Sequence, residues 1–243
     1  MTLVLILKKY DLCMVLTPKV ASTTMLKFAI SLCGVEIGER NARKYARKEA
    51  KNLEDRGLVQ LNIPSSTLCE FAEQYTNYKW IAVTRNPYSR VISGYKSKVQ
   101  RYAREFQFST YIWTGLIKTL KGPKSWDDSR VHAVEVAKRI SFFEFLNGLK
   151  RHGLNWNGHF QLQTCQLALP EMRYDFIIKQ EELDEGVRLV AQSVGVSGDS
   201  IPSLSYTNVS SDRKFDKDSL SVEERELVWK LYKKDFDLLG YEY

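Results

Sequence analysis

The stretch that most constrains this chain is Asp11 to Gly34, DLCMVLTPKVASTTMLKFAISLCG. Leu12 to Leu16 form an apolar run without a charge, which fits a strand buried on both faces, as in a parallel sheet. Met25, Leu26, Ala29, Ile30, Leu32 and Cys33 then recur at helical spacing, and Gly34 stands where a helix C-cap is expected. Between strand and helix lies Thr17-Pro18-Lys19-Val20-Ala21-Ser22-Thr23-Thr24. Small and hydroxylated residues there meet a helix N-terminus, with a lysine just upstream. Backbone N–H groups and hydroxyls in such a place can cradle a phosphate, and the helix dipole favours its charge. Lys19 can add a point charge. A purely structural account of the same residues is a strand, a proline turn and a helix capped by Ser22.

The stretch is not a Walker loop, which needs glycines ahead of the lysine and a hydroxyl residue directly after it. Here the lysine comes first and no glycine precedes it.

A second strand-turn-helix unit follows. Lys79 to Thr84 (KWIAVT) reads as a strand ending at Arg85-Asn86-Pro87. Asn86 suits an N-cap and Pro87 the first helical turn. The helix runs on through Arg90, Ser93, Tyr95 and Lys98. Arg85 thus stands at the C-terminal end of a strand, the edge of an open α/β sheet where ligands bind. A phosphate monoester needs charge and hydrogen-bond donors, and Arg85 with Ser93 offers both. The structural alternative is an ion pair at Arg85 and close packing at Ser93.

Composition narrows the partners. Lys and Arg number 36 against 29 Asp and Glu, a net charge of +7, and the basic residues are dispersed rather than gathered in a tail. This favours a local site for an anionic ligand over a nucleic-acid track. With 243 residues, 44% of them hydrophobic, the chain can bury a substantial core. The apolar run Leu3 to Leu7 is too short to span a bilayer and lacks the flanks of a signal peptide. Cys13, Cys33, Cys69 and Cys165 are scattered without metal-ligand spacing, so reduced thiols are expected.

Elsewhere the pattern is coarser. Residues 35–57 are charged on nearly every face and suggest an exposed helix ended by Gly57. Leu58 to Ile63 alternates as a short strand or extended connection. Thr67 to Glu70 has capping-box spacing. Residues 104–130 suggest a helix or two with long loops. Val131 to Lys150 reads as a helix with a break near Ser141, and Asn155 to Gln166 as a loop. Tyr174 to Ile178 is a third strand followed by an acidic helix start. Residues 197–216 read as a long loop. Ser221 to Glu224 is another capping box, opening a last helix.

The loop PKVASTT (Pro18 to Thr24) resembles the 5′-phosphosulfate loop of sulfotransferases that use 3′-phosphoadenosine 5′-phosphosulfate (PAPS). RNPYSRVISGY (Arg85 to Tyr95) resembles their 3′-phosphate signature R-(D/N)-P-x-x-R-x-x-S-x-Y. HFQLQ (His159 to Gln163) resembles the H-(W/F)-x-P-Q stretch of carbohydrate sulfotransferases of the chondroitin and HNK-1 type, with Leu162 in place of the proline. YDFIIKQE (Tyr174 to Glu181) resembles their YDFIGKxE, and YKKDFDLLGY (Tyr232 to Tyr241) their YxxDFxxFGY. The stretches stand in the family's order and span most of the chain. Cys165 lacks the nearby second cysteine of the animal members, and their membrane anchor and stem are not seen.

The resemblance implies a single sulfotransferase domain over residues 1–243, an α/β fold with a parallel sheet flanked by helices, like that of P-loop nucleotide kinases. It implies PAPS as donor, bound by Lys19, Val20, Ala21, Ser22, Thr23 and Thr24 at the 5′ side and by Arg85 and Ser93 at the 3′-phosphate. Lys19 would be catalytic. The base would be His159, whose near-neutral pKa suits it, or a glutamate after the loop helix, Glu39 or Glu36. His159 could equally serve to order its own loop. His132 and His152 look structural or solvated. No metal is implied, and the expected acceptor is a saccharide or small hydroxylated metabolite, with no nucleic acid and no membrane partner, in the cytoplasm. The alternatives are a nucleotide kinase with a degenerate phosphate loop and a non-catalytic glycan- or nucleotide-binding module.

Overall fold

A computed structural model of the chain describes residues 1–38, 40–100, 139–155, 157–196, 198, 201–204 and 216–243. They fall into two compact units, Met1–Asn86 with Gln163–Ser211, and Pro87–Leu162 with Asp212–Tyr243. The expected elements over residues 104–130 and the start of the helix expected from Val131 lie outside the described residues.

The first unit is built on a five-stranded sheet. Its strands are β1 (Thr2–Leu7), β2 (Leu12–Leu16), β3 (Leu58–Ile63), β4 (Lys79–Thr84) and β5 (Phe176–Lys179), in the order β3-β1-β2-β4-β5. β2, β4 and β5 are mutually parallel, pairing Leu16 with Val83 and Thr84 with Lys179. β1 runs antiparallel to both β2 and β3. The sheet is therefore mixed: parallel as expected where β2 and β4 meet, and antiparallel on the β1 side. The reason is chain length. Only Lys8 to Asp11 join β1 to β2, enough for a turn but not for a parallel crossover, and Asp11 closes that turn at φ 46°. The run Leu3 to Leu7, noted in the sequence only for its apolarity, is thus a strand.

Alternation along the strands sends side chains to two cores. Leu5, Leu12, Met14, Leu16, Ile81 and Val83 join Met25, Phe28 and Ala29 of α1 (Ser22–Leu32). Val4, Ile6, Cys13, Val15, Trp80 and Ala82 join Leu68, Leu167 and Met172 on the other face. β2 is buried along its whole length, which is why Leu12 to Leu16 carry no charge. At the end of α1, Val35 N–H donates to the Ile30 carbonyl and Gly34 N–H to that of Ser31, with Gly34 at φ 74°. That is a Schellman closure, and it needs the left-handed residue that glycine supplies.

The charged segment forms two short helices, α2 (Ala42–Lys48) and α3 (Ala50–Asp55). The helix expected at Thr67 is α4 (Leu68–Ala72), but its capping box does not form: the Thr67 hydroxyl donates to the Pro64 carbonyl instead.

The described part of the second unit is helical. It contains α5 (Pro87–Tyr95), continued by a π-helical turn over Lys96–Gln100, and α6 (Phe142–His152). The break expected at Ser141 is a capping box with Glu144. Back in the first unit, Gln163–Gln166 form a short helix, α7, where the sequence suggested loop, and α8 (Leu183–Ser193) follows β5. The last helix of the second unit, α9 (Val222–Leu239), opens with the expected box between Ser221 and Glu224. Its core gathers Tyr88, Val91, Tyr95, Phe145, Leu146, Phe160, Val228 and Phe236. Gly94 lets α5 approach Phe160: a Cβ there would lie 2.8 Å from the ring.

Candidate functional site

The parallel pairing of β2 with β4 brings two loops to the same sheet edge, because Leu16 and Val83 are register partners. The first loop, Thr17 to Ala21, feeds α1. Lys19 has φ 75° and Ala21 φ 60°. Left-handed residues so placed turn successive N–H groups toward a common side, the backbone arrangement of an anion-binding nest. Ala21 occupies the N-cap position of α1 and has no side chain that can cap. Ser22 is the first residue of the helix rather than its cap, so the expected capping by this hydroxyl is not seen. The first turn of α1 contains no acidic residue. At the loop's start the Thr17 hydroxyl oxygen is buried without a hydrogen-bond partner. An uncapped helix N-terminus, a left-handed loop and three hydroxyl residues, Ser22, Thr23 and Thr24, are the components of an anion site.

The second loop begins at Arg85. Its Nη1 donates to the Lys19 carbonyl at 3.2 Å. Its own backbone is held by Gln163 on both sides: Arg85 N–H donates to Oε1 at 2.9 Å, and Nε2 donates to the Arg85 carbonyl at 2.8 Å. Gln163 is fully buried, so a motif glutamine works here as a backbone clip. The next residue is held as well, Asn86 N–H donating to Glu181 Oε1 at 3.0 Å. Asp175 anchors the start of β4 through the Trp80 N–H at 2.7 Å.

Arg43, on the first turn of α2, was not singled out from the sequence. Its Nη2 donates to the Ser22 hydroxyl at 2.7 Å and its Nε to that of Thr23 at 3.4 Å. It sits among many similar charges in residues 35–57, so no local signal distinguishes it. Glu36 is exposed, and Glu39 lies outside the described residues.

In the second unit, Ser93 is half-buried on α5. His159 sits in a tight turn. Its backbone N–H donates to Asn157 Oδ1 at 2.9 Å, and its Nδ1 lies 2.8 Å from the same oxygen. An amide oxygen only accepts, so this contact is a hydrogen bond where Nδ1 carries a proton, the tautomer in which Nε2 is the accepting nitrogen. Both contacts lie within the turn that carries His159.

Nearby in the same unit, Arg90 is 1% exposed and donates to the carbonyls of Gln161 at 2.9 Å and Gly158 at 3.4 Å. Burial lowers its pKa below the ordinary value, and the Asp235 carboxylate and Tyr232 oppose that shift. Burial likewise raises the Tyr232 phenol, against the pull of Arg90, and its hydroxyl donates to the Phe160 carbonyl at 2.8 Å.

Among the described residues no group of His, Cys, Asp and Glu side chains is arranged to hold a metal ion, and no helix is long and apolar enough to cross a membrane. A family model of the sulfotransferase family matches residues 3–242, and the chain belongs to that family. The mixed five-stranded sheet with helices on both faces agrees with its α/β fold. No curated protein and no solved structure matches the chain.

Proposed function

We propose that this sulfotransferase takes its sulfuryl group from PAPS and delivers it to a hydroxyl, less readily an amine, of a saccharide or small hydroxylated metabolite. The observation that carries this reading is the Thr17–Ala21 loop: left-handed at Lys19 and Ala21, opening onto the uncapped N-terminus of α1, and tied through the Lys19 carbonyl to Arg85. The donor, when bound, supplies a sulfuryl group already activated by its link to phosphate.

The residues divide the work. Val20, Ala21, Ser22, Thr23 and Thr24 hold the 5′-phosphate through backbone N–H groups and hydroxyls. Arg85 and Ser93 bind the 3′-phosphate. Arg85 donates to the Lys19 carbonyl through one nitrogen, and its planar, permanently charged fork suits a phosphate. Lys19 neutralises charge growing on the bridging oxygen as the sulfur–oxygen bond breaks. His159 accepts the acceptor's proton at Nε2, with Glu39 and Glu36 as the competing bases. As in phosphoryl transfer, most of the acceleration comes from positioning and charge stabilisation.

The same proposal treats residues 1–243 as one sulfotransferase domain working without a metal, in the cytoplasm. The test is a panel of saccharides and hydroxylated metabolites incubated with isotopically labelled PAPS and read by mass spectrometry. Gain of one labelled sulfuryl group by an acceptor supports the reading. Binding of the nucleotide with no transfer to any member of a broad panel would favour the non-catalytic binding module.

A further inference from the structure

Three motif stretches meet around one turn of the second unit, and the proposed chemistry gives no role to Arg90 of one or to any residue of another, YKKDFDLLGY. The turn runs from Asn157 to Gln161. The Asn157 carbonyl accepts from the N–H groups of Phe160, at 2.9 Å, and Gln161, at 3.2 Å, while Asn157 Oδ1 takes the backbone and ring N–H of His159. Asn157 thus satisfies the inner side. The outward carbonyls are held from elsewhere: Gln161 and Gly158 by Arg90, and Phe160 by Tyr232. Arg90 comes from RNPYSRVISGY, and Tyr232 and Asp235 from YKKDFDLLGY.

An arginine, a tyrosine and an aspartate, each 1% exposed or less, are costly to bury unless their polar atoms are used. Here the guanidinium fork spans the residues on either side of His159, and the phenol holds the one between. A lone buried lysine or a surface arginine would not reach two carbonyls of one turn at once.

We infer that Arg90, with Tyr232 beside it and Asp235 as counter-charge, is a positioning residue for His159: by fixing the carbonyls of Gly158, Phe160 and Gln161 it keeps Asn157 Oδ1 on the imidazole and so sets the tautomer that presents Nε2. This deepens the proposed function and rests on it for the catalytic meaning of Nε2. The motif arginine and the C-terminal D-F stretch then act on the acceptor's proton rather than on the nucleotide.

The experiment uses the full chain labelled with ¹⁵N-histidine, with the His159 signals assigned by their loss in His159→Gln. The intact protein is expected to show one neutral tautomer with the proton on Nδ1. Arg90→Lys keeps a charge opposite Asp235 but loses the fork, and Tyr232→Phe removes a single oxygen. Both are expected to give a mixture of tautomers, with kcat lowered on the order of 10²-fold in the first, as for a small displacement of a reacting group, and about tenfold in the second. The parental tautomer in both folded variants would overturn the inference, whatever their turnover. If Arg90→Lys does not fold, Tyr232→Phe decides alone. Should the intact protein transfer no sulfuryl group, the function falls while the tautomer result still judges the positioning role.

Discussion

Arg85 Nη1 donates to the main-chain carbonyl of Lys19 at 3.2 Å. The contact joins the residues that follow two parallel strands, β2 and β4, and it makes the shape of the Lys19 loop depend on a side chain from the neighbouring strand. Arg85→Ala should therefore weaken adenosine 3′,5′-bisphosphate by roughly 10- to 100-fold, the worth of a charged hydrogen bond to phosphate. Adenosine 5′-monophosphate should weaken far less, since it lacks the 3′-phosphate that we propose Arg85 binds. Calorimetry with both ligands on both proteins checks this. Equal losses would mean that Arg85 only shapes the loop.

Gln163 clips both backbone groups of Arg85 from a fully buried position. Gln163→Ala orphans an N–H and a C=O together, each costing about 1–3 kcal/mol when buried and unmet. Urea unfolding should show a loss of about 2–4 kcal/mol. A change within 0.5 kcal/mol, the range of an ordinary surface substitution, would show that water replaces the clip.

Lys19→Ala isolates the side-chain charge, because alanine keeps the Cβ and meets the same φ of 75°. We expect kcat to fall about 10²–10³-fold with bisphosphate affinity changing much less, since the bridging oxygen gains charge only as its bond breaks. Lys19→Arg should rescue incompletely, the flat guanidinium placing its charge elsewhere. A loss wholly explained by weaker nucleotide binding would remove Lys19 from the chemistry.

Cys13 lies in β2, which is buried along its length, and burial pushes its thiol from 9.0 up to about 12. The raised value favours the neutral form, so its contribution to stability is complete below pH 9 and is lost as pH rises through about 12. Two readouts follow. Cys13 should resist a thiol reagent at pH 8 until the chain is unfolded, and stability should decline above pH 9. Rapid modification in the folded protein would contradict its burial.

Much of this was legible in the residues. The run Leu12 to Leu16 announced a strand covered on both faces, the capping box at Ser221 formed as spaced, and the break near Ser141 coincides with a helix start there. The box at Thr67 did not, because a local bond to Pro64 competes for the same hydroxyl. β1 was missed because a short apolar run has no periodicity to separate strand from other buried segments. At the site, Lys19 and Arg85 stood out by their place after a strand. Gln163, Asp175 and Glu181 were visible only as matched letters, and their use as partners of the Arg85, Trp80 and Asn86 backbones needed the fold. Arg43 carried no signal, since its contact with Ser22 joins residues 21 apart in sequence and it is one arginine among many.

We propose that the loop at Lys19 and the side chain of Arg85 form one site for a nucleotide phosphorylated at both the 3′ and 5′ positions. Isothermal calorimetry of the intact chain with adenosine 3′,5′-bisphosphate, and separately with ATP and magnesium, tests it without knowledge of the acceptor. Clear binding of the bisphosphate and much weaker binding of ATP are expected, with no requirement for the metal. Tight, magnesium-dependent ATP binding with no preference for the bisphosphate would contradict it.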